Sequence, residues 1–459
     1  MATTAPPRVA AITVVRKKPV RRERPVAADI ESMDLSIVDM RGCYTPGVRV
    51  VERDAHQRIL FVLVNSTPGH LVVSLRFSPK VECVESSKGT RECQRDESSQ
   101  RMNAYPIKLT YHVRDYYFGE RVIPDLYGKP DAPDGVVAET WEVSAYRDDQ
   151  IDTTGTVKNG SYAKRTLRDL TTEFPDELVG QGWRGPHFPL LLKLLDASHR
   201  LPVHLHADDE TARRKYGAPH GKTEAWHILR AAEGATILAG VNEGVSREEL
   251  REAFLAEDYD VVMPRHEIRA GDTVYVPGGV MHTFGPDTLV FEVQQTSDLG
   301  QFVTPLDLQG NRLADDVWER NIDAALDELR TEYRPRPNPG LILENGPNRR
   351  VVCAAGPHFA LERWTLSVPY TEPAHPRRCA TLTNVGGAVG IEYEGGIEQL
   401  DPGESCILPA AIGEVRITPE GEGSLVVCYV PDLELDVIQP LREAGYSDGE
   451  IGKLGEVGL

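Results

Sequence analysis

The chain has 459 residues, 40% of them hydrophobic and 26% charged, with a formal net charge of −19. That length predicts two or three domains and a core large enough to stand without disulfides. The acidic balance disfavours non-specific nucleic-acid binding; no apolar run is long enough for a bilayer and no signal-type apolar stretch opens the chain, so no membrane association and a cytoplasmic setting are expected.

Residues 1–30 carry RKKPVRRERPV, a basic, proline-punctuated segment read as a solvated, flexible arm. Residues 31–104 form a β-rich extension, with RILFVLVN and HLVVSLRF bounded by Pro68 and Gly69. The polar loop SSKGTRECQRDESSQ follows. His56 and His70 stand alone there and are read as surface or structural residues. The seven cysteines are scattered without a Cys-x-x-Cys pair. Cys83 and Cys93 are the two spaced to pair, but a reduced chain is expected.

Residues 105–335 are read as the functional module. ETWEVSAY alternates like a strand, and RTLRDL reads as a short helix. FPLLLKLLDASHRLPVHLH is nearly unbroken apolar sequence, interrupted by Lys193 and Asp196. Taken on its own, Lys193 is expected to reach solvent by its stem. VSREELREAFLAED predicts a helix, with Ser246 and Glu249 at capping-box spacing and Val245 and Leu250 placed as a staple. A second helix is predicted over DDVWERNIDAALDEL, with Val317, Ile322, Ala325 and Leu326 on one side. YRPRPNPG then breaks the chain. Residues 336–459 show short strands with Gly-rich turns (FALERWTLSV, AVGIEYEGG, GESCILPA, SLVVCYVP) and read as a second jelly roll and a polar tail. Its histidines, His358 and His375, are scattered, and no metal is expected in it.

Chemistry concentrates between Leu201 and Gln295. His204 and His206 sit two apart in an extended apolar setting, so a strand turns both to one face. Glu224 and Lys222 share a strand face, as do Glu292 and Gln294. His282 closes GDTVYVPGGVMH. Three imidazoles and a carboxylate suit Zn, Fe(II), Mn or Ni. His220 and His227 compete as ligands; His227 is out of phase with Glu224 and is expected to face the other way.

His-x-His, a glutamate, and then Gly271, Pro277, Gly279 and His282 in the order Gly-x5-Pro-x-Gly-x2-His resemble the two motifs of the cupin superfamily. The first motif is stretched by ADDETARRKYGAPHGKT. FPLLLKLLDA, VHLHADDE, GKTEAW, GDTVYVPGGVMH and FEVQQTSD, in that order, together with ETWEVSAY and GESCILPA, resemble the type I mannose-6-phosphate isomerases over roughly Tyr105 to Pro431. The resemblance implies a mainly β bicupin, two jelly-roll barrels with attached helices, whose first barrel binds one zinc and interconverts an aldose phosphate with its ketose. It implies His204, His206, Glu224 and His282 as metal ligands, Lys193 and Lys222 as pocket lysines, and Glu292 as a catalytic base. Three positions depart from the family: His204 stands for its glutamine, Pro202 for its serine, and Phe302 for its arginine. A small-molecule sugar or sugar phosphate is the expected partner. The departures keep two alternatives open: a cupin oxygenase or epimerase acting on a specialised metabolite, and a non-catalytic sugar-binding protein.

Overall fold

A computed structural model describes residues 101–459 and, before them, only the backbone of short strands, among them Ile59–Thr67 paired with His70–Ser78. Residues 1–100 and 101–459 are separate units. The expectations for the basic arm, the polar loop, His56, His70 and the Cys83–Cys93 pair concern side chains or segments outside the described residues. Among the described residues, no helix is long and apolar enough to cross a membrane.

Residues 101–459 are mainly β, built from two antiparallel double-sheet modules. In the first, a six-stranded sheet runs in spatial order Thr273–Val276, Glu224–Ala231, Thr288–Gln295, Leu190–Ala197, Glu139–Val143, His112–Arg114. A five-stranded sheet runs Arg265–Glu267, Thr236–Ala239, His282–Phe284, His204–Leu205, Gln301–Phe302. Trp226, Ile228 and Val290 of the first sheet pack with Ile237, Ala239 and Phe284 of the second. This is the interior of a jelly roll.

The apolar run LLLKLLDA is a strand buried along its whole length. Leu190, Leu192 and Leu194 pack on Val351, Cys353 and Leu361 of the second module, whereas Leu195 and Ala197 join the first module's interior. A strand covered on both faces has no need of polar alternation. Asp196 accepts from the backbone N–H of Glu120 and Val122 at 3.1 and 2.9 Å.

Helices Arg247–Leu255 and Asp315–Glu328 cover the outer face of the five-stranded sheet, packing on Leu205, Leu238 and Met281. The capping box at Ser246 forms, with Glu249 closing it. On the second helix Ile322, Ala325 and Leu326 are buried, but the main anchor is Trp318, whose indole N–H donates to Val303 O at 2.8 Å. The alternation of heptad-like positions put Val317 there instead; it is only half-buried.

The second module has a seven-stranded sheet ordered Leu341–Asn345, Arg349–Ala355, Ala360–Leu366, Gly423–Tyr429, Ala380–Asn384, Ser405–Leu408, Ile107–Lys108, and a four-stranded sheet. Ile107–Lys108 precedes the first module in sequence yet pairs with Ser405–Leu408.

Candidate metal centre

Two paired strands, the segment after one of them and a turn bring the imidazoles together, and a third strand brings Glu224. His204 lies directly opposite His282, and Glu224 lies opposite Gln294 and Val276. His206 follows on the segment after Leu205. Its carbonyl accepts from Gly279 N at 2.6 Å. Gly279 has φ +87°, and a Cβ there would meet Glu328 O at 3.0 Å, so the Pro-x-Gly of the second motif supplies a turn that only glycine makes easily. The 17-residue insertion in the first motif leaves and returns at one point. Lys222 N donates to Ala207 O at 2.9 Å, and a Cβ on Gly221 would lie 2.4 Å from that oxygen. The stretched motif therefore keeps Lys222 and Glu224 beside His206.

His204 Nε2 and His282 Nε2 are 3.0 Å apart. Glu224 Oε1 is 3.1 Å from His282 Nε2, and Oε2 is 3.3 Å from His206 Nε2. All four residues are buried. The other ring nitrogens face backbone carbonyls: His204 Nδ1 to Pro202 O at 2.8 Å, His206 Nδ1 to Leu299 O at 2.7 Å, His282 Nδ1 to Val280 O at 2.8 Å. A carbonyl only accepts, so each Nδ1 carries the proton and each Nε2 presents a lone pair. Three lone pairs and a carboxylate thus face one point. The spacings approach the edge of a tetrahedron of Zn–N bonds, about 3.3 Å. An all-acceptor cluster of this kind fits a divalent cation.

Burial holds the His206 imidazolium down at about 3, and the Lys222 ammonium adds to this. Glu224 is pulled well below the usual carboxylate range, Lys222 and the imidazoles outweighing its burial. Both shifts leave the side chains in the forms that bind metal.

Lys222 Nζ is 2.9 Å from both Glu224 Oε2 and His206 Nε2, and 3.8 Å from Glu292 Oε1. Lys193 does not reach solvent, which corrects the expectation formed from its position alone. It is 3% exposed, with Nζ 3.3 Å from Glu292 and 3.6 Å from Glu139. The reason is the sheet register: Lys193 lies opposite Glu292 on one side and Trp141 on the other, so it points into the barrel. Burial lowers its ammonium's pKa, but the two carboxylates outweigh this and raise it. Glu292 is pushed up by burial and then by the neighbouring Glu224 carboxylate, and its Oε1 has no hydrogen-bond partner.

The competing histidines lie elsewhere. His227 faces away, with Nδ1 2.9 Å from Thr273 Oγ1. His220 packs edge-on against His187 at 5.2 Å between ring centres. His375 Nε2 is 3.0 Å from Glu372 Oε1 in the second module. Gln294 turns its amide N–H to the carbonyls of Gln295 and Ser297.

Sequence reasoning missed Glu139 and Asp298. Glu139 accepts the Trp141 indole N–H at 2.7 Å. Asp298 lies among Lys193, Lys222, Glu139 and Arg114, its pKa raised by burial against the pull of the two lysines. The signal for Glu139 was the alternation in ETWEV; Asp298 closes FEVQQTSD but sits beyond its strand, where periodicity says nothing. Phe302 and His204 prove to be one unit: they are opposite in register, with rings stacked at 5.4 Å and 29°.

Two jelly rolls in tandem, one enclosing a buried cluster of three histidines able to hold a metal ion, define a bicupin. Residues 353–430 match the family model "Mannose-6-phosphate isomerase, cupin domain". The chain is 36% identical over 338 residues to mannose-6-phosphate isomerase ManA of Bacillus subtilis, covering 72% of this chain and 100% of that protein. It is 33% identical over 315 residues to the mannose-6-phosphate isomerase of Streptococcus mutans, covering 67% of this chain and 94% of that one. The crystal structure of the Bacillus subtilis mannose 6-phosphate isomerase superposes with a TM-score of 0.62 at 27% identity, over 70% of this chain and 99% of that chain. The chain belongs to the mannose-6-phosphate isomerase family.

Proposed function

We propose that this protein is a metal-dependent aldose–ketose isomerase acting on a sugar phosphate, with mannose 6-phosphate and fructose 6-phosphate as the pair to test. The observation that carries the reading is the juxtaposition of a buried Glu292 oxygen that accepts no hydrogen bond, the two lysines ion-paired with it and the all-acceptor ligand cluster. His204, His206, Glu224 and His282 hold the ion, zinc in the first instance and Fe(II), Mn or Ni as alternatives. A bound divalent ion supplies polarisation of substrate oxygens.

The chain's own residues do the rest. Aldose–ketose exchange moves a proton between adjacent carbons, which needs a base free of other hydrogen bonds. Glu292 is that base: burial and Glu224 raise its proton affinity, against the opposing pull of Lys193 at 3.3 Å and Lys222 at 3.8 Å. Lys222 is the group placed to steady a substrate oxygen as negative charge grows on it. Lys193, clamped between Glu139 and Glu292, fixes the base's position. The division into a metal-binding module (105–335) and a second jelly roll (336–459) belongs to this proposal. So does a cytoplasmic setting, supported by the free, buried Cys353, Cys379, Cys406 and Cys428 among the described residues. The relatives carry the isomerase name, which disfavours the oxygenase, epimerase and binding-protein readings.

Incubation of metal-replete protein with mannose 6-phosphate in D2O, followed by NMR, tests it. Deuterium at C2 of the recovered aldose and appearance of the ketose are expected. No exchange into any hexose or pentose phosphate overturns the reading.

A further inference from the structure

The proposed reaction leaves a half-buried cation beside the site unused. Arg114 ends the strand His112–Arg114 and lies opposite Glu139. Directly opposed residues share a sheet face, so Arg114 is on the inward face with Glu139, whose carboxylate reaches Lys193 at 3.6 Å. The Arg114 guanidinium carbon is 4.5 Å from the Trp141 ring centre, and Lys193 Nζ is 4.6 Å from the same ring. Nε and Nη2 of Arg114 are buried and, among the described residues, neither has a hydrogen-bond partner. These two N–H groups form the side-on edge of the guanidinium, a parallel pair of donors matched to two oxygens of one anion. Buried charged donors without acceptors are costly. Asp298 and Asp148 feel the charge of Arg114, but no hydrogen bond to its Nε or Nη2 forms.

We propose that Arg114 binds the anionic end of the substrate, taking two phosphate oxygens of a sugar phosphate and setting the preference for phosphorylated over free sugar. The inference rests on the isomerase reading and deepens it. Phe302 brings no charge to the site. Lys193 is clamped between two carboxylates and Lys222 is assigned to the oxygen at the reacting carbons; Arg114 has donors to spare. The strands bearing Glu224, Glu292, Lys193, Glu139 and Arg114 are successive neighbours in one sheet. Arg114 and Lys193 converge on the one Trp141 ring, which sets the guanidinium beside the lysine that touches Glu292.

The test compares wild type, Arg114→Met and Arg114→Lys, each as the full metal-replete chain, on mannose 6-phosphate and on unphosphorylated mannose. Titration calorimetry with inorganic phosphate runs alongside. Arg114→Met is expected to lower kcat/KM for mannose 6-phosphate roughly 10- to 100-fold, the size of a charged hydrogen-bond pair, mainly through KM. The ratio of phosphorylated to free sugar falls with it, and phosphate binding weakens. Arg114→Lys keeps the charge without the fork and recovers part of the loss; if the methionine variant does not fold, the lysine variant's reduced ratio carries the test. Equal losses on both sugars, or an unchanged ratio, overturn the proposal. Should wild type turn over neither sugar, the isomerase reading fails separately, and phosphate binding unaltered by Arg114→Met still overturns this one.

Discussion

Replacing Glu224 with glutamine separates the two things its carboxylate does. Without an ion it faces Lys222 Nζ at 2.9 Å, and that nitrogen's next carboxylate, Glu292, is 3.8 Å from it. Removing one partner of a buried pair costs about 3–5 kcal/mol. The amide also turns N–H donors toward an ammonium. In the metal-bound protein the same change removes the only anionic donor from the set. Even outer-shell partners of metal ligands are worth about 10–100-fold in affinity, so a loss of about 100-fold is a lower bound. At a metal concentration of 100 times the wild-type Kd, wild type gains about 2.7 kcal/mol from binding and the variant about 0.4 kcal/mol. At about 2 °C per kcal/mol, the low end for a unit of this size, the metal-dependent rise in Tm shrinks from about 5 °C to under 1 °C. Differential scanning calorimetry with and without chelator, across Zn, Mn, Ni and Fe(II), reads both effects. Glu292→Gln is the control: it touches the same lysines and keeps the metal-dependent rise. A Glu224→Gln protein that retains the full rise, or a wild type with none for any of the four ions, refutes the ligand set.

Glu292→Gln should reduce kcat by about 100-fold or more while leaving metal content unchanged, since general-base catalysis contributes about 10²–10⁴-fold; plasma emission analysis paired with kinetics checks this. Lys193→Met leaves Glu139 and Glu292 buried without their shared cation, and urea denaturation should show a loss of about 3–5 kcal/mol, partly restored by adding Glu292→Gln. Trp318→Ala removes the anchor of helix Asp315–Glu328 and should cost about 3–5 kcal/mol, measured the same way. His227 is buried, which lowers its pKa to about 3. The unfolded chain takes up that proton first, so its contribution is complete above about pH 6.5 and is lost as pH falls, about 2 kcal/mol by pH 5. Stability measured from pH 7 to 5 should be flatter in His227→Gln, and an unchanged slope would show that another group dominates.

Period-two alternation alone put His204 with His206 and Lys222 with Glu224, and the Gly-x5-Pro-x-Gly-x2-His spacing placed His282; neither depends on what packs around them. The capping box at Ser246 was equally local, because its two hydrogen bonds span three residues. The rest required neighbours distant in sequence. Lys193 looked like a solvent-seeking interruption of an apolar strand until the register set it between Glu292 and Trp141. Trp318 displaced Val317 as the helix anchor because a carbonyl at Val303 waits for its indole. Asp298 and Arg114 carry no periodic signal: one follows a strand and the other ends an edge strand, and only sheet closure turns both toward the lysines. Which faces a strand can offer is a property of backbone geometry and can be read from residue order. Which face meets a charge, a ring or a carbonyl depends on register between segments far apart in the chain, and that was decided only when the sheets closed.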